Sequence, residues 1–175
     1  MKPERITLGG GCFWCVEAAL RPLKGVLEAV PGYAGGHLEN PTYEAVSTGT
    51  TGHAEVVRVT FDPEVLPLER LLEVFFAIHD PTQKDRQGAD VGPQYRSIIL
   101  YEDPAQLPTI ENALHKAQAQ HARPVVTEVK PIERFWPAEE YHHRYFEKHP
   151  EAPYCQAVVA PKVKKVLTAF RPLVE

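Results

Sequence analysis

The junction at residues 5–20 constrains this chain more than any other stretch. Arg5–Leu8 is a short, apolar, β-tending run; Gly9-Gly10-Gly11 follows it; Cys12-Phe13-Trp14-Cys15 then opens a helix expected from about Cys12 to Leu20 and stopped by Pro22 and Gly25. A cysteine in the first helical turn faces unpaired backbone N–H groups and the positive end of the helix dipole, so a thiolate is expected at Cys12. The glycines let the backbone bend sharply and let a substrate approach closely. Two large aromatics beside that sulfur make an apolar cup. The combination points to chemistry rather than to packing.

Periodicity predicts the remaining elements. Val26–Tyr33 reads as extended, and the Gly/Thr/Pro-rich stretch from Gly35 to Gly52 as a long loop with one helical turn at Thr42–Val46. Ala54–Phe61 reads as a strand and Pro67–Ile78 as an amphipathic helix, with Leu68, Leu71, Leu72, Phe75 and Phe76 on one side. A second polar loop covers His79 to Tyr95. Ser97–Tyr101 is expected as a buried strand, Pro104–His121 as a helix, Val125–Val129 as a strand, and Pro137–Lys148 and Lys162–Phe170 as helices. The order strand–helix–strand–strand–helix–strand is the split βαβ pattern of ferredoxin-like α+β folds. The expectation is therefore a two-layer sandwich with extra helices and a C-terminal tail.

Composition narrows the function classes. The length of 175 residues suits one domain, here a single catalytic domain over residues 1–175. A net charge of −4 with no basic run argues against nucleic acid, and no apolar run approaches the ~18 residues that span a bilayer. The N-terminus lacks the basic-then-apolar pattern of a signal peptide, and three cysteines do not make a secreted disulfide framework. The expected location is the cytoplasm, where any disulfide is transient and catalytic.

Cys12-x-x-Cys15 has three readings. It is half of a zinc site completed by Cys155 and one of His142, His143 or His149, within a zinc-stapled binding module. It is a dithiol of the thioredoxin kind, exchanging disulfides. Or it is a nucleophilic thiolate with its own aromatic pocket. The bulky Phe13-Trp14 pair argues against the second. Two acids stand where function would place them. Glu55 sits at the entrance of the Ala54–Phe61 strand, where partial burial raises its pKa and keeps a proton available for donation, and Asp90 sits in the His79–Tyr95 loop. Tyr43 and Tyr95 supply neutral phenol donors from the two loops. His53 reads as a loop hydrogen-bonding residue, and His142, His143 and His149 as exposed helix residues.

At these residues the chain resembles the A-type peptide methionine sulfoxide reductases. The matching blocks are Gly10-Gly11-Cys12-Phe13-Trp14, Gly32-Tyr33-Ala34-Gly35-Gly36, Asn40-Pro41-Thr42-Tyr43, Thr51-Gly52-His53-Ala54-Glu55, Gln94-Tyr95-Arg96-Ser97, Tyr141-His142 and Pro153-Tyr154-Cys155. The resemblance implies reduction of the S epimer of methionine sulfoxide, free or in oxidised proteins. Cys12 would be the nucleophile that becomes a sulfenic acid. Phe13 and Trp14 would hold the substrate methyl, Glu55, Tyr43 and Tyr95 would bind the sulfoxide oxygen, and Asp90 would support them. It further implies Cys155 as the recycling cysteine, with Cys15, where many members carry glycine, as the alternative. Thioredoxin would be the electron donor, with no metal and no other cofactor. The enzyme would work as a monomer, its tail from about residue 150 to 175 folded over the site on a mobile Pro150–Pro153 connection.

Overall fold

A computed structural model describes residues 2–175. In chain order the elements are β1 (Glu4–Gly9), α1 (Phe13–Leu20), β2 (Val26–Ala34), α2 (Tyr43–Ser47), β3 (Ala54–Phe61), α3 (Leu68–Ala77), the hairpin strands β4 (Arg86–Gln87) and β5 (Asp90–Val91), β6 (Ile98–Tyr101), α4 (Leu107–Ala119), β7 (Glu128–Pro131), β8 (Phe135–Pro137), α5 (Tyr145–Lys148), α6 (Ala160–Ala169) and α7 (Arg171–Val174). The protein is a mixed α+β structure built on a six-stranded sheet of order β7-β6-β1-β3-β2-β8. The strands pair antiparallel except β6 with β7, which run parallel and are joined through α4.

The alternation in β3 is set by two cores. Val57, Val59 and Phe61 join Ile6, Leu8, Phe13, Phe75 and Leu72 in the main core, whereas Ala54 and Val56 face a smaller cluster with Ala34, Ile98 and Leu100, flanked by Ile132 and Phe135. Burial on both faces explains why the central strands are apolar almost throughout. α1 packs on β2 and β3 and against α6, and α3 lies against α4. In α4 the buried positions Ile110, Ala113 and Ala117 form a narrow apolar stripe at helical spacing. Ahead of it, Asp103 accepts from the Ala105 N–H in a capping box with Gln106, so the region expected as one helix from Pro104 opens with a 3-10 turn. Among the described residues no helix is long and apolar enough to cross a membrane.

Four other expectations are corrected. The Pro137–Lys148 helix is instead the end of β8, a 3-10 turn at Glu140–His142 and the four-residue α5. Its backbone is claimed by distant partners. Arg144 takes a left-handed φ of 56° and donates its N–H to both oxygens of the Glu17 carboxylate at 3.0 Å. The Val125–Val129 strand starts later, at Glu128, because the Val126 N–H donates to the Pro81 carbonyl and the Val125 N–H to the Gln118 side chain. The His79–Tyr95 loop carries the β4–β5 hairpin and a 3-10 turn at Pro93–Tyr95. The last long helix begins earlier than Lys162: a π-helical turn, Cys155–Val159, runs directly into α6.

Candidate active site

The glycine loop delivers Cys12 to the mouth of α1. Gly11 takes φ +91°, a conformation that L side chains rarely adopt, and donates its N–H to the Tyr95 carbonyl at 3.2 Å. That bond fastens the loop to the segment carrying the second phenol. Cys12 is the N-cap of α1: its backbone is still extended, and its carbonyl accepts the first helical N–H groups, from Cys15 at 3.1 Å and Val16 at 3.4 Å.

The electrostatics of the two thiols reverse the expectation. Burial, then the Cys15 thiol and the Glu55 carboxyl, push the Cys12 thiol well above its ordinary value. The partial charge at the end of an eight-residue helix does not offset the loss of water around a residue that is only 7% exposed. Cys15 moves the other way, to about 7, through its interaction with Cys12, the Lys162 ammonium and the Tyr154 hydroxyl, whose oxygen lies 3.9 Å from its sulfur. In the resting protein Cys15 is therefore the more acidic of the pair.

Glu55 lies one residue into β3, where the strand turns its side chain under the α1 entrance. It is 1% exposed. Its Oε1 accepts the Phe13 N–H at 3.1 Å, while its Oε2 is buried without a partner. Burial pushes its pKa up to about 8, against the pull of that single N–H. Glu55 is thus a neutral acid at pH 7 with a free oxygen. The phenols of Tyr43 and Tyr95 share its field. Burial and the Glu55 carboxyl raise Tyr43 to about 12 and raise Tyr95 further, and the Cys12 sulfur acts on both. Cys12, Glu55, Tyr43 and Tyr95 are therefore brought together from α1, β3, α2 and the turn before β6.

The aromatic residues divide into floor and wall. Phe13 is fully buried, its ring centroid 5.0 Å from His142, 5.7 Å from Tyr33 and 6.3 Å from Tyr43. Trp14 is half-buried, stacked on Tyr145 at 3.8 Å with Tyr154 edge-on at 5.8 Å. Asp90 opens β5, and its carboxylate accepts the Tyr154 hydroxyl at 2.5 Å. Asp90 therefore ties the tail to the hairpin beside the cysteine pair.

Several of these residues carried no clear signal in the sequence. His142 is buried, not exposed: the Trp14 indole N–H donates to its Nδ1 at 3.0 Å. Of the other two histidines, His143 is half-buried with Nε2 on the Ala138 carbonyl at 2.8 Å, and His149 is exposed against Tyr145. Glu139 accepts the Tyr33 hydroxyl at 2.7 Å and the Tyr43 N–H at 2.9 Å, fixing the start of α2 and with it the first phenol. Tyr33, His142 and Tyr154 lay inside recognisable blocks, but Glu139 did not. His53 accepts the Gly36 N–H at 3.1 Å and its Nε2 meets the Leu38 carbonyl at 2.7 Å, holding the loop as expected. Cys15 and Cys155 are both buried free thiols, as is Cys12, and Cys155 is raised by burial and by Cys15. Among the described residues no three His, Cys, Asp or Glu side chains gather as metal ligands.

The chain that sets a buried cysteine beside a neutral acid and two phenols is similar to proteins of known activity. The family described as peptide methionine sulfoxide reductase matches residues 4–172. The peptide methionine sulfoxide reductase MsrA of Thermus thermophilus is 56% identical over 172 residues, covering 98% of each chain. The crystal structure of reduced Mxr1 from Saccharomyces cerevisiae superposes with a TM-score of 0.83 at 36% identity, over 88% of this chain and 90% of that one. Mxr1 in complex with Trx2 gives 0.60 at 28% identity, over 82% and 85%. The chain belongs to the peptide methionine sulfoxide reductase family, and it is a thiol-dependent oxidoreductase of methionine sulfoxide.

Proposed function

We propose that Cys12 attacks the sulfur of the S epimer of methionine sulfoxide, free or within an oxidised protein, while Glu55 protonates the sulfoxide oxygen. The observation that carries this is the unpartnered, buried Oε2 of a glutamic acid that keeps its proton up to about pH 8. A sulfoxide sulfur is electrophilic only when its oxygen is protonated or strongly hydrogen-bonded. Glu55, Tyr43 and Tyr95 are preorganised donors for the charge that develops on that oxygen. Phe13 and Trp14 receive the methyl, and Asp90 supports the site through Tyr154. One methyl pocket contributes only ~1–3 kcal/mol, so the oxygen donors carry much of the choice between epimers.

The Cys12 sulfur bonds to the sulfoxide sulfur as its own proton passes to Cys15, the more acidic of the pair. The Glu55 proton goes to the oxygen, the substrate's S–O bond breaks as that hydroxyl passes to the Cys12 sulfur, and the new S–S bond breaks, so that methionine leaves as the thioether and Cys12 is left as sulfenic acid. The substrate sulfur gains two electrons and Cys12 loses two. Cys15 stands three residues along the same helical start, with its thiol interacting with that of Cys12, so it condenses with the sulfenic acid and releases water. Cys155 then exchanges onto Cys15 and frees Cys12, keeping the recycling role that the resemblance implies. A thioredoxin-type dithiol returns both thiols, a donor supported by the Mxr1–Trx2 complex. The cycle calls for a reducing compartment, which we place in the cytoplasm, and one chain carries every group, so a monomer suffices.

The fold reading that accompanies this is the split βαβ sandwich as one catalytic domain. It is supported by β3 lying between β1 and β2, antiparallel to both, with β6 beyond β1. The tail reaches the site through Tyr154. A single-turnover assay without reductant tests the function. The S epimer should yield about one methionine per chain in the first turnover and a mapped Cys12–Cys15 or Cys15–Cys155 link. Equal turnover of the R epimer, or methionine formation by Cys12→Ser, would overturn it.

A further inference from the structure

Behind the glycine loop lies a buried histidine that the reaction does not touch. His79 follows α3 and is 8% exposed. Its Nδ1 is 2.6 Å from the Phe75 carbonyl oxygen and its Nε2 is 2.8 Å from Ser97 Oγ, which is in turn 2.8 Å from Thr127 Oγ1. A carbonyl only accepts, so Nδ1 carries the proton, Nε2 accepts from the Ser97 hydroxyl, and Ser97 accepts from Thr127. Both ring nitrogens are thus clamped, and the ring lies against Phe75 with centroids 4.3 Å apart.

The clamped ring faces Gly10. A Cβ built on Gly10 would lie 2.8 Å from His79 Cγ, 2.9 Å from Cδ2 and 3.1 Å from Nδ1, so the ring occupies all the space beside that backbone. Gly11 has a similar backing: a Cβ there would meet Gln87 Cβ and Cγ at 3.1 Å. The Gln87 amide accepts the Asp80 N–H at 2.9 Å and donates to the Asp80 carbonyl at 2.5 Å. Gly10 and Gly11 therefore rest on side chains held by the single segment His79–Asp80.

We propose that His79 is a positioning residue: its ring, clamped through Ser97, is the stop against which Gly10 rests and so fixes the Cys12 sulfur relative to Glu55 and the two phenols. The inference rests on Cys12 as the attacking sulfur. It adds a group from outside the cup to the machinery that sets the attack distance.

Single-turnover methionine formation at saturating S-epimer sulfoxide tests it, with thermal melting measured for each protein. The proteins are wild type, Cys12→Ser, Gly10→Ala, His79→Ala, the Gly10→Ala/His79→Ala double variant and Ser97→Ala. Gly10→Ala should lift the loop off the ring and slow methionine formation about 100-fold, the scale of a ~1 Å misplacement. His79→Ala should cost roughly 10-fold, and the double variant should return to about the His79→Ala rate, because the new methyl fills the space the ring vacated. Ser97→Ala keeps the ring, releases Nε2 and should slow the step about 3-fold, with KM unchanged. Losses that multiply in the double variant overturn the proposal, as does a lowered melting temperature with wild-type rate per folded molecule. If His79→Ala does not fold, wild-type rates in both Gly10→Ala and Ser97→Ala overturn it. Methionine formation by Cys12→Ser would instead sink the assignment of the attacking sulfur, whatever the His79 variants do.

Discussion

One glutamate lies within α1 and another under its entrance, both buried, and their surroundings differ in one respect that decides what each can do. Glu17, on the helix itself, is 2% exposed, and both its oxygens are occupied: Arg144 donates its N–H to each, and Arg21 adds its Nη2 at 3.0 Å and Nε at 3.3 Å. Glu55, under the helix entrance, receives one N–H and has one oxygen free. Burial raises both pKa values, but donors and an arginine hold Glu17 back, while Glu55 reaches about 8. A saturated buried carboxylate locks chain segments together. An unsaturated one keeps a proton to give away, and its free oxygen costs stability that only a ligand recovers.

The largest effect expected from this contrast is at Glu55. Glu55→Gln should lower the single-turnover rate by ~10²–10⁴, the usual range for losing a general acid, and an unchanged rate would remove the proton-donor role. The wild-type rate should fall as pH rises through about 8, where Glu55 loses its proton, and that limb should vanish in the Gln variant. Stability carries the same signature. The folded protein holds this proton more tightly than the unfolded chain, so the contribution is complete below the ordinary carboxylate value and is lost progressively as pH rises to about 8. Glu55→Gln should accordingly melt higher than wild type at pH 9 and not at pH 4.

Glu17→Gln should do the reverse. It should cost about 1–3 kcal/mol of stability by leaving Arg144 and Arg21 short of an acceptor, with the rate per folded molecule unchanged. A catalytic loss comparable to that at Glu55 would break the contrast between the two carboxyls. Cys15→Ser should slow methionine formation about 100-fold, the lower end of the range for losing one proton acceptor, while leaving a trappable sulfenic acid on Cys12. A plain disulfide exchanger would lose all activity. The smallest effects are expected at the phenols: Tyr43→Phe and Tyr95→Phe should each slow the step by roughly 5–10-fold, about the value of one neutral hydrogen bond, since Glu55 and the other phenol still hold the oxygen.

Much of this was legible one segment at a time. The β1–glycine–α1 junction, the α3 stripe and β3 follow from local pattern, because each buries a face whose period the sequence spells out. The short turn α2 was readable from Thr42, which caps it through the Ala45 N–H. The failures share a cause. Residues 137–148 look helical, yet Glu139 is taken by Tyr33 and Tyr43 and the Arg144 N–H by Glu17, none of them within four residues of its partner. A backbone group satisfied from a distance is free of the local pattern, and a periodic reading cannot see that.

By itself the sequence singled out Cys12, Glu55, Tyr43 and Tyr95 and the order of the elements that carry them, since each sits in a distinctive short block. Only the tertiary structure decided their chemical state. Proximity to a helix end favours a thiolate at Cys12, but the packing of aromatics, Glu55 and Cys15 around that sulfur keeps it protonated and moves the acidic thiol to Cys15. The helix dipole is a local property of the chain, whereas desolvation depends on every element that closes over the group, and at this site desolvation is the larger of the two.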